Sequence, residues 1–252
     1  MSIQIFSTFE FIDQIGRPIN MIERNSNLPS CIVPSKLFNC FDFLSEEEKL
    51  LIQKNKKEVK FKKGETLIKQ GAYASHIIFL EKGLVKVYLE GPQNDLILKI
   101  VAENNFLALS SVFDGNDSFI YSLSAYVDSV ATLISMDIFK QLLRNNNRFS
   151  NQIISLLNAN TAQIYGRFYC VTRKQSNGRV ADIILCLSEN VFKTREFQLN
   201  ISRNDLADLT GLSSESVIKI FKELKSEKII DVIGKNIKVL DIARLQHISN
   251  YG

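Results

Sequence analysis

The chain has 252 residues, 45% of them hydrophobic and 23% charged, with a formal net charge of +4. That balance describes a folded chain long enough for two ordinary domains and excludes an intrinsically disordered one. No run of about 18 apolar residues occurs, so no membrane span is expected, and four widely spaced cysteines without a CxxC pair argue against a disulfide scaffold.

The opening stretch, MSIQIFSTFEFIDQIG, lacks the basic segment of a secretory signal, so a reducing cytoplasm is the expected compartment. Residues 1–40 show no pattern that assigns them a role. Asn20 to Ser35, rich in Asn, Ser and Pro, reads as a connector. Ser45 then caps a helix, with Glu46, Glu47 and Glu48 in the first turn, where the helix dipole favours negative charge. From Val59 the texture changes to short alternating runs punctuated by Gly64, Gly71 and Gly83, as in an all-β roll. Ile77 to Leu80 is continuously apolar and fits a strand buried on both faces. Further strands are predicted near 96–101, 122–127 and 131–135.

Asp137 to Arg144 reads as a short helix, followed by a longer one from Asn147 to Thr172. In the longer helix Ile154, Leu157, Thr161, Ile164, Phe168 and Val171 recur at alternating steps of three and four, the seam of a helix packed along a twin. The seam is short, so a helix packed on its own domain fits the same spacing.

Ile201 to Leu240 carries the sharpest pattern. Ser202 caps a helix, and Asp205 stands where a capping box would close. Gly211 supplies a sharp turn, and Ser213 caps a second helix. In that helix Val217, Ile220, Phe221 and Leu224 face inward, leaving Ser214, Glu215, Ile218, Lys219, Lys222 and Lys225 outside. Two alternating runs around Gly234, Lys235 and Asn236 follow as a hairpin. Helix, turn, helix and wing in this order read as a module that places its second helix in the DNA major groove. The blander reading is a generic helical hairpin.

A β-roll, a seam helix and a winged helix-turn-helix, in that order, resemble the CRP/FNR family of bacterial transcription regulators. The resemblance covers about residues 41–245 and rests on KKGETLIKQGAYASHIIFLEKGLVKVY and on NGRVADIILCLSEN with ISRNDLADLTGLSSESVIKIFKELKSEKII. The expected fold is α+β. A double-stranded β-helix (jelly-roll, cupin-like) sensor domain spans 41–144, a dimerisation helix 145–175, and a winged helix-turn-helix DNA-binding domain 176–252.

The resemblance also implies where an effector sits. Family members that bind cAMP carry a cassette of the type F-G-E-[LI]-[AS], with Arg-Ser or Arg-Thr about ten residues later; glycine admits the phosphate and arginine pairs with it. Here Phe106 matches, Leu107 stands at the glycine, Ala108 at the glutamate, Leu109 follows, and Phe119 and Ile120 replace the Arg-Ser pair. A buried phosphate without a cation is prohibitively costly, so cAMP is not the expected ligand. The apolar side chains either fill the vacated pocket or line a site for a small apolar effector. An iron–sulfur cluster of the oxygen-sensing branch needs closely spaced thiolates, which Cys31, Cys40, Cys170 and Cys186 do not supply, and His76 is the single candidate haem ligand in the roll. No cofactor or metal is expected.

By the same resemblance Glu215 matches the base-reading glutamate, while Ser214, Ile218 and Lys219 replace the neighbouring readers. Glutamate accepts from cytosine N4, lysine donates to guanine and isoleucine meets a thymine methyl group. Ser202, Arg203, Ser213 and Lys222 are the expected phosphate contacts. Double-stranded DNA, a second copy of the chain and RNA polymerase are the implied partners. With two histidines and no HExxH, P-loop, GxSxG or zinc spacing, the sequence offers no enzyme site. The competing reading is a sensor or scaffold that binds a partner protein through the roll, its DNA domain weakened by the missing arginines.

Overall fold

The computed structural model describes residues 40–92, 95–113 and 115–252. The predicted connector, Cys31 and every other residue of the 1–40 extension except Cys40 lie outside the described residues. Ser45 caps α1 (Glu46–Asn55) with a complete capping box, its hydroxyl accepting from the Glu48 N–H while the Glu48 carboxylate accepts from the Ser45 N–H.

Eight strands then build the roll: β1 (Lys56–Phe61), β2 (Thr66–Ile68), β3 (His76–Lys82), β4 (Leu84–Leu89), β5 (Leu96–Ala102), β6 (Asn105–Leu107), β7 (Ser122–Ala125) and β8 (Ser129–Ser135). They pair antiparallel in two sheets, β1-β8-β3-β6 and β2-β7-β4-β5. Ile77, Ile78 and Leu80 of β3 have no exposed surface, as the apolar run predicts. The turn between β3 and β4 brings Gly83 against β8. A Cβ there would lie 2.1 Å from the Ser129 hydroxyl, at φ +121°, so glycine is required.

Strand β4 shows how one element serves two cores. Val85 and Val87 point into the roll. Leu84 and Tyr88 point the other way and join Ile97, Ile100 and Tyr126 in a cluster with the C-terminal domain. The two-residue period of a strand makes this division.

Helix α2 (Met136–Asn145) leads into α3 (Asn147–Arg173). Asn146 caps α3 by accepting from the Phe149 N–H, and its amide donates to Glu48 of α1. One face of α3 buries Phe149, Ile153, Leu156, Gln163, Gly166 and Cys170. The predicted seam lies on the other face. Ile154, Ile164 and Phe168 are 53%, 55% and 67% exposed, Thr161 is exposed, and Leu157 and Val171 are half-buried.

The C-terminal domain begins with α4 (Ser176–Cys186), continues through a π turn at Leu187–Val191, and includes β9 (Glu196–Gln198). Helices α5 (Arg203–Thr210) and α6 (Ser214–Ser226) flank Gly211, which caps α5 at φ +63°. Strands β10 (Ile230–Ile233) and β11 (Asn236–Val239) form the hairpin, with β9 as a third strand beside β11. Helix α7 (Ile242–Tyr251) packs on α4. No helix among the described residues is long and apolar enough to cross a membrane.

Candidate nucleic-acid interface

The two-helix unit assembles much as its sequence predicts. Ser213 accepts from the Ser216 N–H at 3.2 Å and starts α6. Val217, Ile220 and Leu224 are buried, and Phe221 is half-buried. Glu215 and Lys219 stand exposed on the outer face beside the half-buried Ile218. Its own backbone N–H, at the start of α6, and the Ser213 hydroxyl hold the Glu215 carboxylate below the usual carboxylate range. The group is therefore an exposed, ionised acceptor in the first turn of α6. Lys219 makes only a 3.9 Å contact with Glu223 and is 79% exposed.

Arg203, Ile218, Lys222 and Lys225 come together with the wing residues Gly234 and Lys235 around a hollow of about 220 Å³. The site thus joins both helices to the wing. Lys235 was not singled out from sequence as a site residue; its position beside Gly234 at a hairpin tip is the signal that could have found it. Lys225 donates to the Val232 carbonyl at 2.6 Å and pairs with Asp231 at 3.2 Å, so it braces the wing.

One local expectation is refined and one corrected. Ser202 and Asp205 form the expected reciprocal pair, but through their side chains: the Asp205 N–H donates to the Ser202 hydroxyl at 3.0 Å, and that hydroxyl, in place of the Ser202 N–H, donates to the Asp205 carboxylate at 2.6 Å. The other carboxylate oxygen, Oδ1, lies 3.3 Å from the Lys86 ammonium of β4. Ser214 is half-buried and donates to Asn204 Oδ1 at 2.9 Å, so its hydroxyl ties α6 to α5.

Helix α5 is held from two sides. Lys86 grips its first turn, next to Tyr126, whose hydroxyl is buried. Burial raises the Tyr126 phenol pKa, and the neighbouring Asp205 and Asp208 charges add to the rise. Burial likewise raises the Asp208 pKa, with Asp205 beside it. At its other end α5 accepts from α3 and α4: Arg167 donates to the Asp208 carbonyl at 3.2 Å and Arg179 to the Thr210 carbonyl at 3.4 Å. The seam helix therefore touches the helix-turn-helix directly. Ser202 and Arg203 also line a cleft of about 710 Å³ shared with Lys63 and Lys86 of the roll.

In the roll, Phe106, Leu107, Ala108, Leu109 and Phe119 are buried. Ile120 is 40% exposed, which corrects its expected place in the pocket lining: next to the inward Phe119, its side chain turns outward. The register of the cassette also shifts by one. Leu107 is ordinary strand, whereas Ala108 has φ +68°. A left-handed backbone is what a glycine is there to supply, so Ala108 holds the glycine position and Leu109 the glutamate position.

The Ala108 N–H donates to the Tyr121 hydroxyl at 3.0 Å. Tyr121 is buried, and burial pushes its pKa up. Phe106 packs against Phe41, Phe79 and Phe139, at ring separations of 5.3, 5.0 and 5.8 Å. Tyr121→Phe leaves the Ala108 N–H buried without an acceptor, so unfolding in denaturant is expected to show a loss of about 1–3 kcal/mol. An unchanged midpoint with an unchanged slope contradicts the contact.

Among the described residues the cysteines are dispersed and buried. Cys40 precedes α1, Cys170 lies in α3 and Cys186 in α4, and burial pushes the Cys40 thiol up to about 11. No cluster of three metal-ligating side chains occurs among the described residues. His76 contacts the Ser75 hydroxyl through Nδ1 at 2.9 Å and packs edge-on against Phe119, and burial lowers its pKa.

Known proteins match both halves. Residues 58–146 match the cyclic nucleotide-binding domain and residues 178–248 the Crp-like helix-turn-helix domain. The transcriptional activator protein anr of Pseudomonas aeruginosa is 22% identical over 73% of this chain and 77% of its own length. The cAMP-activated global transcriptional regulator CRP of Salmonella typhimurium is 26% identical over 71% and 88% respectively. The structure of FixK2 from Bradyrhizobium japonicum superposes with a TM-score of 0.72 at 16% identity, covering 78% of this chain and 98% of that one. Two domain matches in the family's order, on a roll, a long helix and a winged helix-turn-helix, place the chain in the CRP/FNR family of DNA-binding transcription regulators.

Proposed function

We propose that the protein acts in the cytoplasm as a homodimer on a pseudo-palindromic promoter site, with RNA polymerase as its further partner. The observation that carries this reading is the two-faced α3. Its inner face packs on the roll, while Ile154, Ile164 and Phe168 leave an apolar stripe more than half exposed. A second copy of the helix is what such a stripe pairs with. Arg167, on the same helix, reaches α5, so pairing two α3 helices also sets two recognition helices in one assembly.

Glu215, Ile218 and Lys219 are assigned to the bases, and Ser202, Arg203, Ser213, Lys222 and Lys235 to phosphates. Ser214 supports the readers through Asn204. The effector is not cAMP: the cassette has no arginine, and Tyr121 already accepts from the Ala108 N–H. Packing of Phe106 among Phe41, Phe79 and Phe139 favours the pocket-filling role of the apolar cassette over an apolar effector site.

Binding of the full chain to a promoter duplex at rising salt tests the function. Log affinity is expected to fall linearly with log salt, with a slope of about −0.9 for each phosphate neutralised. A chain that binds no duplex at low salt contradicts this reading.

A further inference from the structure

The tip of the wing carries an apolar side chain in open solvent. Ile233 is 71% exposed, the most exposed leucine or isoleucine among the described residues. Hairpin tips are ordinarily polar, yet Ile233 adjoins the tip turn at Gly234 (φ +62°) and Lys235. The wing is fixed on both strands. Lys225 of α6 donates to the Val232 carbonyl at 2.6 Å, and the Leu199 N–H donates to the Lys235 carbonyl at 2.8 Å.

Ile233 pairs with Asn236 across the hairpin, so both side chains project from one face of the wing. Val232 and its partner Ile237 project from the other face and line the hollow shared with α6. Ile233 and Asn236 therefore stand on the side turned away from α6, and both are exposed. The hollow itself is lined by Arg203, Lys222, Lys225 and Lys235 and by no carboxylate. Among the described residues only Lys225 of these four has an acidic partner, Asp231. Such a lining suits one sugar–phosphate strand.

With α6 in the major groove, that strand is the wall between the major groove and the minor groove beside it. A strand seated in the hollow sets the outer face of the wing against the minor groove. There A·T pairs present only the acceptors A N3 and T O2, while G·C pairs add the guanine N2 amino donor. The Asn236 amide N–H can donate to those acceptors. Ile233 can lie over an A·T floor, but over G·C it buries the amino group without an acceptor.

We infer that Ile233 and Asn236 form a second reading element, which enters the minor groove beside α6 and selects A·T pairs there. The inference rests on the proposed placement of α6 in the major groove and extends each half-site. The added pairs lie about five base pairs from the pair facing Glu215, half of a helical turn.

The test uses the full chain and the duplex that it selects from a randomised pool. The three pairs centred half a turn from the Glu215 pair, on each side in turn, are made A·T, G·C or inosine·cytosine. Inosine lacks the N2 amino group, so it joins the minor groove of A·T to the major groove of G·C. On one side, A·T and inosine·cytosine are expected to bind alike and G·C at least about fivefold weaker. Ile233→Ser, at an exposed position, is expected to narrow that ratio to within about twofold. Asn236→Ala is expected to narrow it too, so either variant suffices if the other does not fold. A preference that arises only from DNA bending survives both substitutions, and that result overturns the inference. So does inosine·cytosine binding as weakly as G·C, or no preference on either side. Glu215→Ala on the same duplexes separates the two readings. If it relaxes preference at its own pair while the wing arms fail, only this inference falls; a chain that selects no duplex overturns both.

Discussion

Phe168→Asp is expected to leave the chain folded but monomeric at micromolar concentration, and at least about a hundredfold weaker on a palindromic duplex. Phe168 is 67% exposed and belongs to neither buried core, so the monomer loses little packing. In a paired α3 the same position meets its twin, and the substitution sets two carboxylates against each other in an apolar seam. Desolvating unpaired charges there is prohibitive. The hundredfold loss follows because two linked half-site contacts exceed one by a factor of about 10² to 10⁴. Sedimentation velocity reads the assembly state, and titration of a labelled duplex reads the affinity. A variant that still sediments as a dimer contradicts the seam.

Glu215→Ala is expected to cost about 1–3 kcal/mol on the cognate site and to relax preference at one base pair. The carboxylate stands exposed at the first turn of α6, and its own backbone N–H and the Ser213 hydroxyl hold its pKa below the usual carboxylate range. A lowered pKa means that the acceptor persists as pH falls through the ordinary carboxylate range. Lys222→Ala provides the contrast. It is expected to weaken every duplex about equally and to reduce the salt slope by about 1. Competition among duplexes that differ at single positions distinguishes the two. If Glu215→Ala leaves sequence preference unchanged, the assignment of Glu215 to a base is wrong.

Local chemistry explains what the sequence made legible. Ser45, Ser202 and Ser213 sit where helices begin, and each accepts the backbone N–H that a cap must satisfy. Gly211 takes the left-handed backbone between α5 and α6. The three-and-four spacing in α3 separates buried from exposed positions because it repeats the helix period itself.

What escaped depends on contacts between distant segments. Asp205 pairs with Ser202 three residues away, as the spacing suggests, but nothing local signals that its other carboxylate oxygen meets Lys86 of the roll. The cassette register was off by one because the motif offers no glycine to mark the left-handed position, and only the backbone at Ala108 reveals it. Tyr121 lies 13 residues from Ala108 in sequence, and nothing local signals that its hydroxyl accepts the Ala108 N–H. Strand β9 is three residues long and gains its identity only by pairing with β11.

Selection of duplexes from a randomised pool by the full chain tests paired reading most directly. Two inverted half-sites with centres one helical turn apart, about 34–36 Å, are predicted, each with a cytosine–guanine pair facing Glu215 and Lys219. Enrichment of a single asymmetric half-site, or of no sequence at all, contradicts a dimer that reads DNA through α6.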